Sequence, residues 1–366
     1  LENGKITSLQ MAVLLYPAII ATSIISVPSI VARYAKNDLW ISPILASIIG
    51  FATVQIAYEL HKRYPKQTII EISEQIAGRF AGKLISLYIL GFYILSTGHV
   101  VRGYSEFIVS SFLISTPLIV IIASMVLLCA FVVQGGLEVL GRTAMLFSPL
   151  FILPLLSFVI FLSPDFEVNN IFPVLGNGVF PVIKGAVIPG GWYSEIFLIA
   201  FLLPYLSDGQ KGRKYGMLTV LAVMITLVVV NLTVLFVLGI TTSSKVFPLM
   251  NAARYVSLGE FLENVESIAM AVWIVGAFVK ISLFYYAAVL GTAQWLKLSS
   301  YRIIIWPFAI IIVELAYWSI PNSAEYTSYL MKVLPFYGPF AQVILPLFLL
   351  LLAVFRKKGQ KQTKSS

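Results

Sequence analysis

Charge is what this chain of 366 residues has least of. Asp, Glu, Lys and Arg make up 11% of it, against about a quarter of an average soluble domain. Surfaces facing water need charge, whereas surfaces facing lipid exclude it because an unpaired ion is costly to bury. Most of the chain is therefore expected to face lipid or its own interior. There is one cysteine, Cys129, inside the apolar run 119–133, so an internal disulfide is excluded. Two histidines, His61 and His99, are too few for a histidine metal cluster. No Walker A run, no HExxH and no Ser-His-Asp set in a plausible context is found, so neither an enzyme nor a bound cofactor is expected. The polar start, Leu1 to Gln10, leads into an apolar stretch with no small-residue cleavage site, so no cleavable signal peptide is expected.

What the chain has instead is apolar length. Hydrophobic residues are 59% of the total and the mean hydropathy is +0.93. A spanning helix needs about 20 mostly apolar residues. Ten such stretches are read at roughly 8–34, 39–60, 83–112, 116–136, 143–163, 180–207, 215–240, 264–292, 301–320 and 333–355. They are numbered spans 1 to 10. The fold class is thus an all-α polytopic membrane protein forming one membrane domain, with no connecting stretch long enough for a soluble domain.

The net charge of +9 would suggest nucleic acid in a soluble protein. Here the basic residues sit in short loops and at the C-terminus, where they fix topology and meet anionic headgroups, so a lipid bilayer is the expected partner and nucleic acid is not. One side holds Lys5, the 62–83 loop, Arg142, the 211–214 loop, Lys297, Arg302 and the C-terminal tail, seventeen Lys and Arg in all. The other side holds seven, from Arg33 to Lys332. That bias puts both termini in the cytoplasm. Residues 67–82 carry Ile69, Ile70, Ile72 and Ile76 on one side and read as a short amphipathic helix at the interface. Residues 247–263 read as a similar helix on the opposite face.

Two spans carry interruptions. In span 1, Pro17 and Pro28 bracket Thr22, Ser23 and Ser26; in span 6, Pro189, Gly190 and Gly191 fall together. Proline removes an amide donor and glycine costs about 1 kcal/mol relative to alanine in a helix. An unsatisfied backbone group in lipid costs several kcal/mol, so such breaks persist only where they face protein, water or ligand. Spans 1 and 6 each open a set of five. Because five is odd, the second set enters from the opposite side, giving two inverted repeats, 8–163 and 180–356. Matching broken helices in inverted halves mark a transporter-type central site.

These features resemble the amino acid–polyamine–organocation superfamily (LeuT-like) and, within it, the B subunits of bacterial spore germinant receptors. The resemblance rests on residues 21–28 (ATSIISVP), Tyr64-Pro65, residues 68–71 (TIIE), residues 172–178 (FPVLGNG), Ser194-Glu195 and residues 278–281 (FVKI). It implies a subunit of a receptor in the spore inner membrane or bacterial cell membrane, binding a nutrient germinant such as L-alanine. It also implies a membrane A subunit and a lipoprotein C subunit as partners. A permease moving amino acids with protons or another cation uses the same architecture and stays open. One departure is that the superfamily has two glycines at the span 1 break, where this chain has Ala21 and Ser23.

For the site itself, a second half-helix beginning near Ser23 and Ile24 would offer free amides to a carboxylate, and unwound carbonyls around Ile188–Gly191 would suit an ammonium group. Thr22, Ser23, Ile24, Gly190 and Gly191 are therefore expected at the ligand, with Trp192 and Tyr193 walling it. Gly191 is expected opposite Ser23. In span 3, Tyr93, Thr97, Val100 and Tyr104 share one face, which either lines the ligand or packs against another helix. Glu195 and Lys280 are ionisable groups inside spans. Lys280 is either a built-in substitute for a coupling cation or the ion-pair partner of Glu195. Glu314, Glu106 and His99 are lesser candidates.

Overall fold

A computed structural model describes residues 1–254 and 265–356. Among the described residues, ten helices are long and apolar enough to cross a membrane. They are Ser8–Asp38, Ser42–Arg63, Arg79–Ser111, Leu118–Gly135, Leu137–Asp165, Val179–Tyr205, Gly209–Ser244, Met270–Leu296, Tyr301–Trp318 and Leu334–Phe355, and they correspond one to one with spans 1–10. Local chemistry fixes their ends. Thr7 caps span 1 in a reciprocal box with Gln10, satisfying two otherwise orphaned amides. Spans 4 and 5 are separated by Gly136 alone, whose φ of 89° is one that L side chains rarely adopt.

Burial sorts the spans into inner and outer sets. The most apolar stretch of span 6 is 94% buried inside the protein, that of span 8 is 83% and that of span 1 is 67%, whereas span 5 is only 22% buried and span 9 only 28%. Spans 1, 6 and 8 therefore form the centre, while 5 and 9 present their side chains outward. Helix packing also repeats with an offset of five. Span 1 packs on span 7 and span 6 on span 2; span 1 packs on span 5 and span 6 on span 10; span 3 packs on span 9 and span 8 on span 4. A five-plus-five inverted repeat requires this exchange.

The helix breaks differ from expectation. Span 1 is a continuous α-helix over Ser8–Ala35, with Pro17 and Pro28 inside it. Each proline removes a single backbone bond, and the hydroxyl of Ser23 turns back onto the Ile19 carbonyl at 2.8 Å, so no free half-helix amides arise at Ser23 or Ile24. Span 6 is likewise helical through Pro189, Gly190 and Gly191, to Ser194. Its irregularity comes later, where the chain tightens into 3₁₀ geometry at Glu195–Leu198 and again at Leu203–Tyr205. The glycines serve close approach instead of unwinding. A Cβ on Gly190 would lie 2.7 Å from Ile49 Cδ1, and one on Gly191 would lie 3.0 Å from the Leu334 carbonyl oxygen. Gly191 thus faces span 10, not Ser23.

Three short elements complete the bundle. The expected amphipathic segment is a helix at Ile69–Ala77, but its isoleucines are buried against protein, chiefly span 3. Pro248–Ala253 is helical; residues 255–263 of the second expected interfacial helix lie outside the described residues. A further helix, Ser323–Lys332, joins spans 9 and 10 and is capped by the Asn322 side chain. At the end carrying the N-terminus, residues 2–8 fold back as a latch. Ile6 forms a parallel bridge with Leu206, Ser8 hydrogen-bonds Asp208 through its amide at 2.7 Å and its hydroxyl at 2.9 Å, and Glu2 accepts from Tyr286 at 3.2 Å and Tyr301 at 3.1 Å.

Candidate functional site

The centre of the bundle holds an ion pair. Lys280 of span 8 is fully buried and Glu195 of span 6 is 3% exposed, with Lys280 Nζ 2.6 Å from Glu195 Oε2. Isolated, either charge would be very costly here; paired, each relieves the burial of the other. Glu195 is the residue at which span 6 turns 3₁₀. Lys280 Nζ also donates to Thr22 Oγ1 of span 1 at 2.8 Å and lies 5.1 Å from the Phe284 ring centroid. Three inner spans are thereby tied at one ammonium group.

Thr22 is the junction of the site. Its oxygen accepts from Lys280 and from Trp192 Nε1 at 3.0 Å. A hydroxyl has two acceptor lone pairs and one proton to give, so both lone pairs are used while the proton has no acceptor among the described residues. Thr22 lines a cavity of about 30 Å³ with Ser26, Tyr104, Trp273, Ala277 and Tyr326. Trp273 is buried and its Nε1 donor has no partner among the described residues. Orphaned buried donors are rare in folded proteins, and this cavity brings two unspent donors together.

The other expected residues fall into different surroundings. Tyr93 OH donates to Gln342 Oε1 at 2.9 Å, Gln342 Nε2 donates to Ser194 Oγ at 3.0 Å, and Ser194 Oγ donates to the Gly191 carbonyl at 2.7 Å. Thr97 is bonded to the Tyr93 carbonyl at 2.6 Å. This second network joins spans 3, 6 and 10. Tyr193 is fully buried with its hydroxyl unpartnered. Ser23 and Ile24 are buried and do not line the cavity. The structure thus ties Thr22, Trp192, Glu195 and Lys280 into one hydrogen-bonded cluster, while Tyr93 hydrogen-bonds to Gln342 and meets that cluster through Phe284, with ring centroids 5.6 Å apart.

Sequence reasoning missed Trp273, Tyr326 and Gln342. Tyr326 had a readable signal, because Asn322 followed by Glu325 is a helix-start pattern. Gln342 follows Pro339 within a π-helical turn of span 10, Phe340–Ile344, and only its polarity in an apolar run marked it out. Gly103 lets Tyr326 lie over span 3, since a Cβ there would collide with the Tyr326 hydroxyl.

The sequence profile of the family described as "Spore germination protein" matches residues 5–324. The chain belongs to the spore germination protein family. It is 29% identical to spore germination protein KB of Bacillus subtilis (strain 168) over 375 residues, covering 100% of this chain and 98% of that protein. It is 25% identical to spore germination protein YndE of the same organism, covering 98% and 99%. Among solved structures it is similar to MhsT in complex with L-phenylalanine, with a TM-score of 0.67 at 15% identity over 94% of this chain and 90% of that one. It is also similar to a Na⁺-coupled sialic acid symporter, with a TM-score of 0.62 at 13% identity over 93% and 80%. These likenesses show the fold, that of a LeuT-like transporter. This family member is a multi-pass, permease-like membrane protein related to germination receptors.

Proposed function

We propose that the chain is the nutrient-binding subunit of a germinant receptor and that it binds a small free amino acid beside Thr22. The observation carrying this is the cavity that brings the free Thr22 O–H and the free Trp273 N–H together next to a neutral Lys280–Glu195 pair. Two donors in a narrow, largely apolar space suit the carboxylate of an amino acid. The donors of spans 1 and 8 take the role first expected of helix amides. Tyr93, Thr97 and Gly191 support the site by holding spans 3, 6 and 10 together, while Gly190 and Tyr193 pack span 6 against Ile49 and Gly50 of span 2.

Size links binding to signalling. A water needs roughly 10–15 Å³ of such space, so a cavity of about 30 Å³ is too small for alanine. The ligand must displace a wall, with Tyr326 and Trp273 the large side chains in the way. A ligand that stabilises the displaced arrangement shifts the population toward it, and neighbouring A and C subunits would read that shift. The Lys and Arg bias sets the termini in the cytoplasm, so the Ser323–Lys332 helix faces the opposite side.

The permease reading draws on the transporter fold. The Lys280 ammonium, fixed between spans 1, 6 and 8, favours the receptor over a sodium-coupled carrier, because a built-in cation leaves no charge deficit for sodium to fill. The test is equilibrium binding of the common amino acids to the purified chain in lipid nanodiscs, with sodium and with potassium. Small amino acids should bind equally in both salts. Sodium-dependent binding, or uptake into proteoliposomes, would favour the permease; no binding at all would remove both.

A further inference from the structure

Next to the Thr22 cavity lies a second compartment whose chemistry differs from the first. It is a partly open space of about 60 Å³ lined by Ser29, Arg33, Glu106, Ser323, Thr327 and Leu330, among others. It shares Ser26, Gly103, Phe247 and Tyr326 with the Thr22 cavity, so those four residues form the partition between the two. Charges of both signs face it. We propose that it is a second amino-acid site, which holds the zwitterion between Arg33 and Glu106 before it passes to Thr22. This rests on the reading of the chain as an amino-acid binder.

The two charged groups are unequally engaged. Arg33 donates only to the Ser243 carbonyl at 3.4 Å and to Met331 Sδ at 3.5 Å, both long and both neutral. No carboxylate pairs with it among the described residues. Its planar fork suits a carboxylate. Glu106 is held by Arg102, with Nη2 2.8 Å and Nε 2.9 Å from the same oxygen, Oε1. Its other oxygen, Oε2, has no partner among the described residues and remains able to accept from an ammonium group. Arg102 is itself satisfied, donating also to the carbonyls of Tyr317 and Pro321. With Arg102 and Glu106 cancelling, Arg33 leaves the compartment net positive, so the carboxylate is the stronger anchor.

Size and position agree with this assignment. A water needs roughly 10–15 Å³ of such space, so about 60 Å³ holds several water-sized groups, twice what the Thr22 cavity offers and on the scale of the smallest amino acids. The apolar Leu330 and Phe247 leave a short side chain an apolar wall. Arg33 also lines a wider surface cavity of about 630 Å³ together with Lys36 and Asn37. It therefore stands at the mouth, between the surface cavity and the smaller compartment. Rotation of Tyr326 would open the partition inward.

The test counts radiolabelled L-alanine bound per chain by equilibrium dialysis of the full-length protein in nanodiscs. Arg33 is exposed and makes only weak bonds, so Arg33→Gln should fold normally. Two molecules should bind the wild type, one should bind Arg33→Gln, and one should bind Thr22→Val. Propionate and ethylamine, each half of the zwitterion, should not displace the molecule that Arg33→Gln loses. Two molecules on Arg33→Gln, one on the wild type, or displacement by propionate alone would overturn the second site while leaving the Thr22 site standing. Two molecules on Thr22→Val would instead overturn the Thr22 site, and no binding by any of the three proteins would overturn both.

Discussion

Replacing Lys280 by alanine removes one partner of an ion pair that is wholly inside the protein. Glu195 is 3% exposed, and among the described residues its side chain pairs with the Lys280 ammonium alone, at 2.6 Å. Breaking a buried pair from one side typically costs about 3–5 kcal/mol, because the remaining charge is left uncompensated. That corresponds to a loss of roughly two to three and a half powers of ten in the folded-to-unfolded ratio. The Thr22 oxygen also loses a donor, so span 1 is released from span 8 at the same point. The assay is thermal unfolding of Lys280→Ala in detergent, beside the double variant Lys280→Met with Glu195→Gln. The single variant should be strongly destabilised. The double variant should recover most of that loss, since similar-sized uncharged residues often replace a buried pair at little cost. If Lys280→Ala unfolds together with the wild type, the pair has no structural weight and the account of how spans 1, 6 and 8 are joined is wrong.

Thr22→Val keeps the shape of the side chain but removes both the acceptor for Lys280 and Trp192 and the free proton; L-alanine affinity at the inner site should fall at least tenfold, about 1.4 kcal/mol, measured by dialysis, and unchanged affinity would exclude Thr22 from the site. Gly191→Ala should destabilise the fold by about 1–3 kcal/mol, because its Cβ meets Leu334 backbone; Gly190→Ala should be milder, because Ile49 Cδ1 is a side-chain end that can rotate away, and melting curves of the two variants check the order. At the latch, partial burial pushes the Asp208 carboxyl up, but hydrogen bonds from the Ser8 amide and hydroxyl, with Lys211 nearby, outweigh it and hold the group below its ordinary 3.8. A depressed carboxyl stabilises the fold above its unfolded-state value and loses that contribution as the pH falls through its lower folded-state value. Hydrogen exchange at residues 6–8 should thus stay slow from neutral pH down to about 4 and speed up only below; Asp208→Asn should speed it throughout, and no change would mean that Asp208 does not hold the latch.

The ten spans were legible because lipid demands long apolar runs, and nothing else in the chain competes with that signal. The Lys280–Glu195 pairing was legible for a related reason: two ionisable groups buried inside spans have few ways to be tolerated other than meeting. The helix breaks were not legible. Proline and glycine carry one sequence signal for two physical uses, unwinding and close packing, and at Gly190 and Gly191 the use is close packing against Ile49 and Leu334. Tyr93 illustrates the same limit. Its face was readable from spacing, but its partner, Gln342, lies 249 positions away and no local pattern connects them. Arg33 and Glu106 were visible as charges near span ends, while their meeting at one cavity depends on how the Ser323–Lys332 helix closes over span 3.

The central claim is that a small amino acid binds at Thr22 beside an intact Lys280–Glu195 pair, without sodium. An experimental density map of the protein with saturating L-alanine in sodium-free buffer tests it most directly. The account predicts a carboxylate within hydrogen-bonding distance of Thr22 Oγ1 and Trp273 Nε1, with the Lys280–Glu195 pair intact. An alanine seated instead at Ser23 and Gly191, with span 1 unwound, or no ligand density in the bundle without sodium, would contradict it.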